Sequence, residues 1–348
     1  MAQRRRLSII QISRAIAILF VLLGHVNILF YSGFGYDWFH MGSWERTGGV
    51  DFFFIVSGFM IYYLYHKRAG TKGEASKFML KRLIRIYPLY WIFTGSAILI
   101  SLVFPALDDR YSLEVIMKSI FILPTQPVLS STWSLSHVMF FYCMFAFYIF
   151  KPKVLKPMIL GWVVLTVLLE LNIIPFQTFL FSFSTLEILL GSLVAYVSMN
   201  YAFKFSSSFI AVGLLGYLFI WINMVYGLVH IHNPSFYCLS AMIMMLGIAE
   251  KDKKERHVPK SLSFLGDASY SIYIAHGPFL HFYIILLDKV NFIDAAGFFV
   301  SMAVVIVMST LSSCLVYLVV EKPMSKYLRQ LVFSRKKVVS ETRHAVAK

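Results

Sequence analysis

Apolar stretches close to bilayer length recur along this chain, separated by short polar segments rich in lysine and arginine. A helix needs roughly 20 apolar residues to cross the hydrocarbon core. Ten such segments can be drawn, at 8–30, 48–66, 83–104, 131–150, 157–174, 178–198, 208–229, 234–250, 264–287 and 294–320. The expected fold class is an all-α integral membrane protein, a bundle of about ten transmembrane helices.

The positive-inside rule orients this drawing. With residue 1 in the cytoplasm, the segments 1–7, 67–82, 151–156, 199–207, 251–263 and 321–348, together with Arg85, hold 27 of the 32 Lys and Arg residues. Arg46, Arg110, Lys118 and Lys289 fall on the other side, and Arg14 falls inside the membrane. Removing any one helix breaks the alternation, so both termini are expected in the cytoplasm and the chain in the cell (plasma or inner) membrane. A transmembrane domain over 1–324 is expected to precede a basic, frayed tail over 325–348.

Net charge is +15, yet only 14% of residues are charged, against ~25% in soluble domains. The cations are dispersed between apolar runs rather than gathered in a patch, which argues against a nucleic-acid partner. Cys143, Cys238 and Cys314 each lie in an apolar run, without disulfide or CxxC spacing. The first apolar run lacks a small-residue cleavage site and reads as a retained signal anchor. Between the third and fourth spans, Tyr111 to Leu123 has the pattern of an amphipathic surface helix.

Ionisable residues inside a span are costly and usually face a protein interior or an aqueous cavity. Arg14 and His25 are eleven residues apart, close to three helical turns, so they share one face and stand ~16 Å apart along the axis. Asp51, in the Gly48-Gly49-Val50-Asp51 opening of the second span, would reach a depth similar to that of His25. It would either orient His25 as a base or cap its own helix. Arg82 and Arg85 lie at i and i+3 where the third span begins, as flanking charge or as an anion clamp that Arg14 would join. Glu187 in mid-span would pair with Arg14 or with an acceptor hydroxyl. His276 is a structural or acceptor-site residue in the same sense, and Tyr270 and Tyr273 read as helix packing. No His/Cys/Asp cluster has metal-ligand spacing.

These residues fall within a series of short motifs. Arg14 and His25 form an arginine-x10-histidine pair, and Gly48, Gly49, Asp51, Phe53, Phe54, Ser57, Gly58 and Phe59 form a GG-x-D-x-FF-x-x-SGF stretch. Arg82 and Arg85 form an RxxR followed by Tyr87-Pro88. Trp133-Ser134-Leu135-Ser136, Glu187 to Gly191, Ser269 to His276 and Glu321-Lys322-Pro323 follow in order. Taken together, the chain resembles the acyltransferase-3 family of multi-pass membrane O-acyltransferases over nearly its whole length.

The resemblance implies transfer of an acyl group, usually acetyl, from cytoplasmic acetyl-CoA as donor substrate to a hydroxyl of an extracytoplasmic glycan or lipid-linked glycan. His25, Asp51 and Arg14 would then be catalytic, and Arg82, Arg85, Arg14 and Ser57 would bind acyl-CoA. Trp133, Glu187 and His276 would form an acceptor or structural polar site. Neither a metal nor a bound cofactor is expected. Membrane lipid and a separate extracytoplasmic transfer partner complete the expected associations. Val138 stands where many relatives carry a glutamate, with His137 beside it as an interfacial or cavity-lining residue. The competing readings are a transporter or flippase, with the same spans and polar track, and an inactive relative acting as a membrane partner.

Overall fold

A computed structural model describes residues 8–44, 46–103, 111–176, 178–254 and 259–333. The segment 1–7, Arg110, part of the basic segment 251–263 and the tail from 334 onward lie outside the described residues. Within them the chain is helical throughout, with no strand. The principal helices are α1 (Ser8–Phe34), α2 (Gly49–Tyr65), α3 (Glu74–Val103), α4 (Leu113–Ile120), α5 (Trp133–Phe150), α6 (Pro152–Glu170), α7 (Phe183–Asn200), α8 (Ser206–Tyr226), α9 (Asn233–Lys254), α10 (Lys260–Lys289), α11 (Phe292–Ala296) and α12 (Phe298–Val316). All ten expected spans coincide with a helix. Among the described residues, nine helices are long and apolar enough to cross a membrane. The helix that falls short is α9, whose end carries Glu250, Lys251, Asp252, Lys253 and Lys254.

Several boundaries differ from the sequence expectation. Helix α3 begins at Glu74 rather than near 83, because nothing in 74–82 interrupts a helix. The last span is split at Gly297 (φ +80°) into α11 and α12. Beyond α12 a π turn at Tyr317–Glu321 leads into further helix through Phe333, so the first residues of the expected tail continue the helix.

The bundle centres on α1, α2, α7 and α10. α2 packs on α7, α1 on both α2 and α10, and α10 on α12. Two glycines set the α2–α7 crossing. A Cβ on Gly58 would overlap the carbonyl of Ile188, and one on Gly191 would overlap the carbonyl of Ile55. Small residues allow such close backbone approach in membrane helix pairs. α8 and α9 form a second pair, and α6 flanks α5 and α7 with few buried residues.

The connections at the end away from the chain start turn back into the bundle. Gly48 (φ +80°) accepts a hydrogen bond from the Tyr217 hydroxyl at 3.0 Å, and Thr47 Oγ1 donates to the Phe20 carbonyl at 3.0 Å. The expected amphipathic helix forms as α4, and its terminal carbonyls accept bonds from the middle of α3. The Tyr90 hydroxyl donates to Ser119 at 2.9 Å and Trp91 Nε1 to Ile120 at 2.9 Å. These donors take up carbonyls that a helix end leaves unpaired. Trp91 is twelve residues short of the end of α3, or ~18 Å. The first turns of α2, α5 and α7 are thereby brought together inside the bundle.

Candidate functional site

A cavity of about 430 Å³ lies at the end of the bundle where α1 begins. Arg14, Lys81, Arg82, Arg85 and Arg329 all line it, and its described lining residues include no carboxylate. The arginines expected to converge from α1 and α3 do so. Arg14 is held by Gln11 Oε1 at 3.0 Å and Ser269 Oγ at 2.7 Å. Arg82 is caged by the rings of Tyr65, Phe78 and Tyr142 at 5.2, 5.4 and 5.6 Å, and its buried Nε has no hydrogen-bond partner. Face-on aromatic contact holds a guanidinium without consuming its donors. Glu321, buried in the π turn, accepts a bond from Ser271 Oγ at 2.6 Å and is the acidic neighbour shared by Arg14, Arg85 and Arg329. Asp267 is a second acidic neighbour of Arg14, and five cations against these two carboxylates leave a positive excess facing open space.

Sequence reasoning missed Arg329 and Lys81 as cavity residues. In sequence Arg329 falls in the basic terminal segment, and only the continuation of helix beyond the π turn brings it in. Ser57 also lines the cavity. Tyr270 and Tyr273, expected to serve packing alone, also line it. Val138 lines it too. His137 instead is buried between α5 and α7, with Nδ1 3.1 Å from Thr185 Oγ1 and its ring 4.6 Å from that of Phe179.

Both Arg14 and His25 face α10, as a shared helical face requires. The His25 ring lies 5.0 Å from that of His276, which lies 6.3 Å from Tyr273. Tyr273 stacks on Phe53 at 6.2 Å at the cavity wall, its hydroxyl 2.9 Å from Ser134 Oγ. His25 itself stands behind this wall rather than in the cavity lining. The Tyr270 hydroxyl donates to the Ile86 carbonyl at 2.6 Å, so Ser269, Tyr270, Ser271, Tyr273 and His276 are each engaged by a neighbour outside the motif, which explains a motif dense in hydroxyls and rings.

The expected pairing of His25 with Asp51 is not found. Gly49 packs against Ala17 and Val21, so α2 starts one to two turns deeper than His25, or ~6–12 Å. The inward fold of the loop before it sets that depth. Asp51 is bound by Arg46 instead, at 3.1 Å. The same guanidinium reaches Ser184 Oγ at 3.4 Å, lies 4.0 Å from Glu187 Oε2, and sits 5.2 Å over the Trp133 ring. Glu187 therefore meets Arg46 and Asp51, not Arg14. Asp51 and Glu187 are both 0% exposed, and Asp51 Oδ2 and both Glu187 oxygens have no hydrogen-bond partner. The first turns of α2 and α7, with their partial positive charge, help to hold two carboxylates there. The positive-inside pattern alone puts Arg46 in an external loop. Its position two residues before the Gly-Gly pair was the available signal.

Among the described residues no group of three or more His, Cys, Asp or Glu is placed to hold a metal ion, and the three cysteines are free. Helices of this length around buried arginines, histidines and carboxylates define a multi-pass membrane protein with an interior polar site. The chain belongs to the acyltransferase-3 family: that family's profile, described as an acyltransferase domain, matches residues 8–318. It is also similar to the exopolysaccharide production protein ExoZ of Rhizobium meliloti (strain 1021), with 27% identity over 303 residues, covering 80% of this chain and 92% of that protein. No solved structure matches the chain.

Proposed function

We propose that this protein transfers an acyl group, most simply acetyl, from cytoplasmic acyl-CoA to a hydroxyl of an extracytoplasmic glycan. The observation that carries the reading is the basic cavity, where Arg14, Lys81, Arg82, Arg85 and Arg329 line open space and the described lining residues include no carboxylate. Guanidinium groups suit phosphate oxygens, singly or as bidentate forks, and the CoA nucleotide carries several phosphates. In this reading ten helices cross the membrane, α9 included, with both termini in the cytoplasm. The donor's nucleotide stays at the cytoplasmic mouth while its thin pantetheine arm runs beside α1. The ~16 Å from Arg14 to His25 is the distance that arm covers, and movement of the Tyr273 wall admits the thioester to His25. A glycan acceptor is supported by family membership and by similarity to a protein named for exopolysaccharide production.

At His25 two routes balance. As general base, the imidazole takes the proton of the acceptor hydroxyl while its oxygen attacks the thioester carbonyl, and the proton passes to the departing CoA thiolate. As nucleophile, the imidazole first carries the acyl group, releasing CoA, and the hydroxyl then takes it. Membranes containing the protein, given radiolabelled acetyl-CoA on the cytoplasmic side together with native envelope glycan, test the proposal. Label should enter glycan with wild type and fall by at least ~100-fold with His25→Ala, the lower range of acid–base contributions. Glycan labelling unchanged by His25→Ala would remove His25 from the chemistry. Wild-type membranes that move unmodified glycan or anion without transferring label would instead identify a transporter.

A further inference from the structure

His276 is 0% exposed, and its Nδ1 lies 2.7 Å from the Tyr273 carbonyl oxygen and 3.2 Å from that of Ile272. A carbonyl oxygen only accepts, so Nδ1 carries the proton and Nε2 holds a bare lone pair. That Nε2 is buried without a hydrogen-bond partner. An orphaned buried acceptor is costly, and within the membrane no bulk water offsets the cost. The His25 ring lies 5.0 Å away, tilted by 45°. Asp51, the other candidate to orient His25, is taken by Arg46.

We propose that His276 is the positioning residue of His25: its backbone-fixed Nε2 lone pair accepts the N–H of His25, and this leaves the other His25 nitrogen bare toward the reacting groups. The inference rests on the reading of His25 as the reactive imidazole. Rotation of the His25 ring about its Cβ–Cγ bond presents a ring N–H to Nε2 and converts ring contact into a hydrogen bond. The tautomer of His25 is then set by a neutral imidazole, where a carboxylate does this work in many base–orienter pairs. When His25 takes the hydroxyl proton it becomes an imidazolium, and His276 Nε2 accepts a stronger, charge-assisted bond from it. The proton leaves from His25 to the CoA thiolate, and His276 neither gains nor loses one. The two residues stand in separate motifs 251 positions apart, and α1–α10 packing joins them.

The test pairs two variants with a direct reading of the tautomers. His276→Asn keeps an N–H donor for the Tyr273 carbonyl but has no acceptor where Nε2 was. His276→Gln can place its amide oxygen near that point. Asn should lower kcat by at least ~10–100-fold, the range seen when the hydrogen-bond partner that orients a metal-bound imidazole is removed, with KM for acyl-CoA unchanged. Gln should recover part of the loss. Nitrogen-15 NMR of histidine-labelled wild-type protein, assigned with the same variants, should show the proton of His276 on Nδ1 and one dominant His25 tautomer that becomes mixed in His276→Asn. A proton on Nε2 of His276, or wild-type kcat in His276→Asn, overturns the proposal. Full turnover in His25→Ala fails the reading of the site itself, and the His276 tautomer can still be read in that case.

Discussion

Two interior regions of this protein use the same ingredients, arginine, aromatic rings and carboxylate, with opposite balance. At the end where α1 begins, five cations face a cavity, and Glu321 is the acidic neighbour of three of them, Arg14, Arg85 and Arg329. In the middle of the bundle, Arg46, itself only partly buried, faces Asp51 and Glu187, both fully buried. A charge excess beside a cavity can be met by an arriving ion. The enclosed excess must be met by the protein itself, through helix N-termini or a proton retained on a carboxylate. The first arrangement suits a binding site, and the second suits a strut that ties the inward-folded loop to α2, α5 and α7.

The sharpest way to break this comparison is to remove Arg46. Arg46→Met strands two buried carboxylates and should cost about 3–5 kcal/mol, the usual penalty for breaking a buried pair from one side. Thermal unfolding of the purified protein should fall accordingly, and adding Asp51→Asn with Glu187→Gln should restore much of it. Unchanged melting in Arg46→Met would show the cluster to be no strut. The cavity should behave otherwise. Arg85→Ala should raise KM for acyl-CoA by about 10–100-fold, the worth of one hydrogen bond to a charged group, with little change in melting. Arg85→Lys should recover part of that, because a point charge remains without the planar fork.

The glycine crossing offers a further contrast. Gly191→Ala should loosen α2 from α7 by about 1–3 kcal/mol, while an alanine at exposed Gly161 within α6, where a Cβ meets nothing, should cost no stability and should favour the helix by up to about 1 kcal/mol. The smallest effect belongs to the exposed pair on α4, where Lys118 Nζ lies 2.5 Å from Glu114 Oε1. The hydrogen bond to Lys118 lowers the Glu114 carboxyl from its ordinary value. Its contribution is therefore present above that ordinary value and fades as pH falls through the lowered one. Because the carboxylate is fully exposed, Glu114→Gln should not measurably move the melting curve at neutral pH or its decline in acid.

Much of this could be read from local pattern. Apolar run length marked every long helix, and the i,i+3 spacing of Arg82 and Arg85 with the eleven-residue spacing of Arg14 and His25 put side chains on the faces they occupy. What escaped depends on depth and on partners distant in sequence. Spacing placed Asp51 one turn inside α2, but where α2 begins is set by Thr47 on Phe20 and Gly48 under Tyr217, contacts across 27 and 169 residues. That single offset moved Asp51 from His25 to Arg46. Arg329 escaped because a basic terminal segment reads as solvated tail, whereas a continuous helix carries it back to the cavity.

The π turn at Tyr317–Glu321 has a consequence for engineering. An α-helix advances ~100° per residue, so a surplus residue in one turn acts as an angular offset on everything downstream. Arg329 and Phe333 reach the cavity at the azimuth this offset dictates. Deleting one residue between 317 and 320 would leave the composition nearly untouched, yet swing that cation away from the space it lines. The final helix works as a dial whose setting is stored in a single turn.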